Sequence, residues 1–224
     1  MLKILYKNSD FVAIYKPPLI PSQPDPSKDP DAMTLTSALL RENSEPDSLW
    51  LIHRLDRVVG GILVFARNKK SAAELSALVQ SSGITKEYFA CVEGVCEGGE
   101  LRDYIYKDTK TGKAFVTDRP RGGVKEAILK YKALQSVETE RGVITLVKVQ
   151  LVTGRFHQIR AQFSSRGKPL VGDKKYGSRI GIARTPALFA SGLSFKTKKE
   201  SVNLHVNPDI TEYPWMLFDK THFD

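Results

Sequence analysis

Cysteine is scarce: the chain of 224 residues has two, Cys91 and Cys96. Two thiols are too few for a Cys-based zinc site, and they read as buried or half-buried free thiols in a reducing compartment. Long hydrophobic runs are also missing. No apolar stretch approaches the ~18 residues that cross a bilayer. The start, MLKILYKNSDFVAIYKPP, lacks the apolar segment and small-residue cleavage site of a secretory signal. Both absences point to a cytoplasmic protein with no membrane partner. There is no internal repeat, heptad run, low-complexity tract or Pro/Gly/Ser linker. The expectation is therefore one domain over residues 1–224. His53 and His157 have no neighbour at H-x-x-x-H spacing, so no metal is expected. Acids are the minority charge, 25 against 34 Lys+Arg, for a net +9. That excess favours a polyanionic partner, with nucleic acid first among them. Hydrophobic residues make up 41%, enough for a real core.

What is present reads as an α+β chain. ILYK and FVAIYK are two short strands, and Pro17-Pro18 stops the second. LIPSQPDPSKDPD holds four of the twelve prolines and is a loop long enough to be functional or mobile. DAMTLTSALLREN suits a short amphipathic helix with Met33, Leu35, Leu39 and Leu40 apolar. The run Gly61–Ala66 is a buried strand. NKKSAAELSALVQSSG is a helix with Ala72, Leu75, Leu78 and Val79 on one face and Gly83 as its cap. From Ile84 the period is two, through ITKEYFACVEG, ELRDYIYKD, KAFVTD, KEAILKYKALQSVE and GVITLVKVQLV. TGRFHQIRAQFSSRG is a turn and helix with Phe156, Ile159 and Phe163 apolar. ALFASGLSF is a further strand, KTKKE a solvated turn, and PDITEYPWMLFD a short docking helix. The order implies a large mixed, mostly antiparallel sheet flanked by a few helices.

Three constellations carry chemistry. In LIHRLDRVVGG, Asp56 lies between Arg54 and Arg57. Guanidinium groups keep their charge, so such a carboxylate is either a solvated turn residue or an ionised nucleophile or base. In LVTGRFHQIRAQF, a Thr-Gly turn opens a helix with basic and polar groups, a form that can bind phosphate. From Gly154 to Lys175 there are six Lys/Arg and a single acid, Asp173, a density that suits a phosphate-binding wall. Tyr88, in TKEYFACVEG, has Phe89 on the opposite strand face; spacing alone gives it no role beyond packing.

Together these segments resemble the RluA-type RNA pseudouridine synthases. HRLD with a following Gly and apolar strand, K-E-Y-x-A-x-V-x-G, and T-G-R-x-H-Q-I-R followed by G-K-P-L-V-G-D-x-x-Y-G occur in the family's order, from YKPP to about Phe195. The resemblance implies the pseudouridine synthase fold with an RNA-binding cleft. It implies an isomerase acting on uridines of rRNA or tRNA, without cofactor. It implies that Asp56 is the catalytic aspartate, that Tyr88 lies against the target base, that Arg160 ion-pairs with Asp56, and that Arg54 fills the place the flipped base leaves. Arg57, Arg155, His157, Lys168, Lys174 and Lys175 are expected on the RNA.

Two positions depart from the family pattern. Val59-Gly60 stands where Thr-Ser is common, and Gln162 where a second histidine is common. The pattern begins near Ile4, which implies the catalytic domain without the small N-terminal RNA-binding domain of the S4 type. A monomer is expected, since no apolar stripe is left over. The competing reading is a non-catalytic RNA-binding protein that keeps the fold. A metal-dependent nuclease using His53, His157 and Asp56 would need a carboxylate cluster that the sequence lacks.

Overall fold

The structure is a computed structural model that describes residues 1–120, 122–181, 183 and 185–223. The chain folds as two compact units, Met1–Thr85 with Ala190–Val206, and Lys86–Phe189 with Asn207–Asp224.

In the first unit, β1 (Lys3–Lys7), β2 (Phe11–Lys16) and β4 (Gly60–Ala66) pair antiparallel, with β10 (Leu188–Lys196) next to β4. The short β3 (Trp50–Leu51) also pairs with β4, and β11 (Ser201–His205) pairs with β10. All of β4 is buried, as its unbroken apolar run predicts. β11 is a strand that the sequence hides: it alternates exposed and buried positions and follows the charged KTKKE turn, so it carries the weak pattern of an outer strand.

Helix α2 (Lys69–Gln80) packs Leu75, with Ala72, Leu78 and Val79, against Phe11, Ile62, Val64, Leu193 and Phe195. It starts at an Asn68 cap whose side chain accepts from the Ser71 N–H. Its end differs from the expected Gly83 cap. Ser82 takes the left-handed conformation (φ 58°), and the Gly83 N–H returns to the Leu78 carbonyl at 2.7 Å. Gly83 thus sits one place beyond the left-handed position of this closing motif. Helix α1 (Ala32–Glu42) buries Ala32, Thr36 and Leu40 rather than the Met33, Leu35 and Leu39 side. Thr36 can be buried because its hydroxyl bonds the Ala32 carbonyl, at 2.6 Å.

The second unit is an antiparallel sheet with its strands in the order β5-β9-β8-β6-β7. These are β5 (Ile84–Glu93), β6 (Gly98–Asp108), β7 (Lys113–Thr117), β8 (Val124–Thr139) and β9 (Gly142–Leu151). They match the five period-two segments of the sequence. The expected helix after the Thr-Gly turn is shorter than read: α3 is Gln158–Ser164, and Phe156 lies outside it. His157 adopts φ 51° at its start, a left-handed residue that breaks the helical path one step earlier. The tail forms single 3-10 turns rather than a docking helix, and buries Trp215, Phe218 and Phe223. Phe223 meets Phe89 edge-on at 5.0 Å. Cys91 and Cys96 are both buried and free. Among the described residues no helix is long and apolar enough to cross a membrane.

Candidate active site

Asp56 lies on a turn between β3 and β4, closed by a hydrogen bond from the Val59 N–H to the Asp56 carbonyl at 3.0 Å. The backbone on each side of it is pinned. The buried Ser22 hydroxyl donates to the Leu55 carbonyl at 2.8 Å and accepts from the Leu55 N–H at 3.0 Å. On the other side Lys16, which is 0% exposed, donates to the Arg57 carbonyl at 3.2 Å. Its ammonium also donates to the carbonyls of Pro17 (3.0 Å) and Ile20 (2.8 Å). Burial pulls the Lys16 pKa down to about 7, and the Asp56 carboxylate pulls the other way. Three carbonyl acceptors match the three N–H donors of the ammonium form and so oppose the effect of burial. Lys16 and Ser22 were not among the expected site residues. The signal was YKPP, where a lysine ends a strand whose first four residues are buried.

The VVGG segment has a packing reason. Gly61 sits at φ +123°, and a Cβ there would lie 2.2 Å from the Ala190 carbonyl oxygen. A Cβ on Gly60 would crowd Pro18 at 3.1 Å, and Val59 is buried. Only residues without side chains let β4 leave the turn this close to its neighbours.

Arg54 is exposed and has no hydrogen bond or ion pair among the described residues. Arg57 behaves differently. Its guanidinium holds the Pro-rich loop through Asp29 (2.6 Å), Asp25 (3.3 Å) and Ser27. The loop that composition left as functional or mobile is thus tied to the residue next to Asp56. His53 accepts the Val64 N–H at 3.2 Å through Nε2, a structural role.

In the second unit, Tyr88 is buried on β5. Arg160 is buried on α3, and Asp173 grips it in two-point fashion: Nε to Oδ2 at 2.6 Å and Nη2 to Oδ1 at 2.8 Å. The side chains are 5% and 1% exposed. Asp173 is the partner that sequence reasoning missed. It was visible as the single acid in a basic stretch, which is where a buried guanidinium would need one. The Arg160 guanidinium also lies over the Tyr176 ring, 4.9 Å from its centre.

Tyr176 and His157 form a second linked pair. The Tyr176 hydroxyl accepts the Ala114 N–H at 2.7 Å and lies 2.8 Å from His157 Nδ1. In this hydrogen bond either group can donate, according to the histidine tautomer. Burial, then the charges of Arg160 and Lys175, lower the His157 pKa to about 3. The ring is neutral at physiological pH and stacks on Phe156 at 3.8 Å.

Among the other expected RNA contacts, Arg155 is half-buried, with Nε on the Glu126 carbonyl at 2.7 Å. Lys174 and Lys175 are exposed. Lys168 turns toward the Val95 carbonyl. Before the helix start the Arg155 N–H is taken by Gln158 Oε1 at 2.9 Å, which also accepts from Thr153, and the Gln158 N–H is taken by the Arg155 carbonyl at 3.1 Å. Gln162, at the second departure from the family pattern, donates to the Leu101 and Ala127 carbonyls and to Asp103, tying α3 to β6 and β8.

Similar proteins are known both in structure and in sequence. The solved structure of human RNA Pseudouridylate Synthase Domain Containing 4 is similar with a TM-score of 0.75 at 23% identity, covering 92% of this chain and 89% of that one. Human RNA Pseudouridylate Synthase Domain Containing 1 gives 0.74 at 24% identity, covering 96% and 86%. In sequence, an uncharacterized RNA pseudouridine synthase of Aquifex aeolicus is 33% identical over 79% of this chain and 56% of its own length. Ribosomal large subunit pseudouridine synthase C of Rickettsia felis is 32% identical over 97% of this chain and 69% of its own. The chain thus spans little more than half the length of some of these relatives, such as the Aquifex protein. The family model described as RNA pseudouridylate synthase matches residues 10–165, a stretch that carries Asp56, Tyr88 and Arg160, and the chain belongs to that family.

Proposed function

We propose that this chain isomerises uridines in RNA to pseudouridine, with Asp56 as the essential carboxylate. The observation that carries the reading is the turn around Asp56. A buried serine and a buried lysine fix the backbone at the residues on both sides of it, which a merely solvated aspartate does not require.

The chemistry explains the residue types. The glycosidic bond from C1′ to N1 breaks, the uracil turns, and C1′ bonds to C5 while C5 loses its proton and N1 gains one. Nothing is oxidised and no water is consumed. Attack on the sugar, attack on the base and removal of a sugar proton all need an ionised carboxylate. Arg160 serves as the cation that partners Asp56, with Asp173 fixing the guanidinium's direction. Tyr88 offers the uracil a flat face and a hydroxyl. The nucleotide must leave the stack to be reached, and the exposed, unengaged Arg54 is suited to fill the gap. Arg57 tethers the Pro-rich loop beside Asp56, and Lys174, Lys175, Arg155 and His157 serve the RNA backbone. The protein acts as a monomer in the cytoplasm.

The substrate is ribosomal or transfer RNA. The test is to map pseudouridines in RNA from a strain deleted for the gene against its parent, then restore the missing site with purified protein. No difference between the two maps would overturn the proposal.

A further inference from the structure

Lys86 is a cation without a counter-charge. It lies on β5 two residues before Tyr88, so the two side chains share one face of the strand. In register it stands opposite Leu151, the last residue of β9 before the Thr-Gly turn. Its Nζ lies 3.5 Å from where a Cβ on Gly154 would be. The side chain is half-buried, yet it has no hydrogen bond or ion pair among the described residues. Glu87 next to it projects to the other face, where it meets Lys148 at 3.1 Å. Burial alone lowers the Lys86 pKa, and no charged neighbour contributes.

A half-buried ammonium without an acceptor is costly, and methionine would fill the same space without that cost. Gly154 is exposed, and its lack of a side chain leaves the approach to the ammonium open. Its φ lies outside the left-handed region, and a Cβ there would make only an ordinary contact with the ammonium, so neither backbone conformation nor packing calls for glycine at this position.

We propose that Lys86 is a substrate-binding residue, whose ammonium over the Gly154 turn takes a phosphodiester of the RNA strand beside the base held at Tyr88. Residues two apart on a strand are separated by ~6.6 Å. With the reach of a lysine stem, that span suits a base on Tyr88 and a phosphate of the same or the adjoining nucleotide on Lys86. The inference rests on the RNA reading of the preceding subsection.

The test compares wild type, Lys86→Met and Lys86→Arg on bulk tRNA and on transcribed large-subunit rRNA, across a range of salt. Lys86→Met should weaken RNA binding and raise KM roughly tenfold at moderate salt, with kcat within about twofold, and should lower the slope of log Kd against log salt by about one. Lys86→Arg should restore most of the affinity. The melting temperature of Lys86→Met should equal or exceed that of wild type, which separates lost binding from lost folding. Unchanged affinity and salt slope in Lys86→Met, or a fall in kcat at constant KM, would overturn the proposal. If wild type binds RNA but forms no pseudouridine, the catalytic reading fails while the binding arm still judges Lys86. If Asp56 proves essential and Lys86→Met is indistinguishable from wild type, only the Lys86 inference fails.

Discussion

Replacing Asp173 with asparagine tests how Arg160 is held. The exchange preserves size but removes the charge and one of two acceptors from a guanidinium that is 5% exposed. Arg160 loses the two-point grip at 2.6 and 2.8 Å, and one asparagine oxygen replaces it. Removing one partner of a buried ion pair costs ~3–5 kcal/mol, and the retained acceptor places this case at the lower end, about 3 kcal/mol. For a domain of this size 1 kcal/mol moves the melting temperature by roughly 2–4 °C, so a fall of about 10 °C is expected. Thermal unfolding followed by circular dichroism reads it directly. Pairing Asp173→Asn with Arg160→Met completes a double-mutant cycle: the double variant should be less destabilised than the sum of the singles, by about 2 kcal/mol. Since Asp173 orients Arg160 without touching RNA, kcat should fall at least tenfold at nearly constant KM. A melting temperature within 2 °C of wild type together with an unchanged kcat would refute the reasoning.

Lys16→Met should cost about 2 kcal/mol, because three buried carbonyls lose their donor, and should lower kcat by loosening the Asp56 turn. The wild-type Lys16 pKa of about 7 lies below its unfolded value of 10.5. The folded state releases that proton first, so wild-type stability should rise between those pH values and the Lys16→Met curve should be flatter there. His157 acts with the same sign in a lower window: with a folded pKa of about 3 against 6.5 unfolded, it takes stability away as pH falls from 6.5 toward 3. Allowing for its partial exposure, the loss is roughly 1–2 kcal/mol, and urea unfolding of His157→Gln across that range should show it gone.

The strands were legible because their alternation is local. β5 through β9 follow from period two alone, and β4 from its apolar run. Asp56, Tyr88 and Arg160 were singled out through their motifs. The residues that hold them were not, because each depends on contact across the fold. Ser22 sits in a proline-rich loop yet bonds a backbone 33 positions away. Lys16 looks like an ordinary strand end until its burial is known. Asp173 is 13 positions from the arginine it grips. Arg57 read as a phosphate contact because the acids that engage it lie 28 and 32 positions earlier. The α3 start was misplaced for a backbone reason, since a left-handed histidine leaves no mark in apolar spacing.

The central claim is that Asp56 performs the chemistry and is not merely part of an RNA-binding surface. The direct measurement is single-turnover pseudouridine formation by wild type and Asp56→Asn on an RNA carrying the mapped target uridine, with RNA affinity measured on the same samples. The account predicts that Asp56→Asn binds the RNA within a few-fold of wild type, melts at nearly the same temperature and forms no detectable pseudouridine. Product formation by Asp56→Asn at a rate comparable to wild type would contradict it.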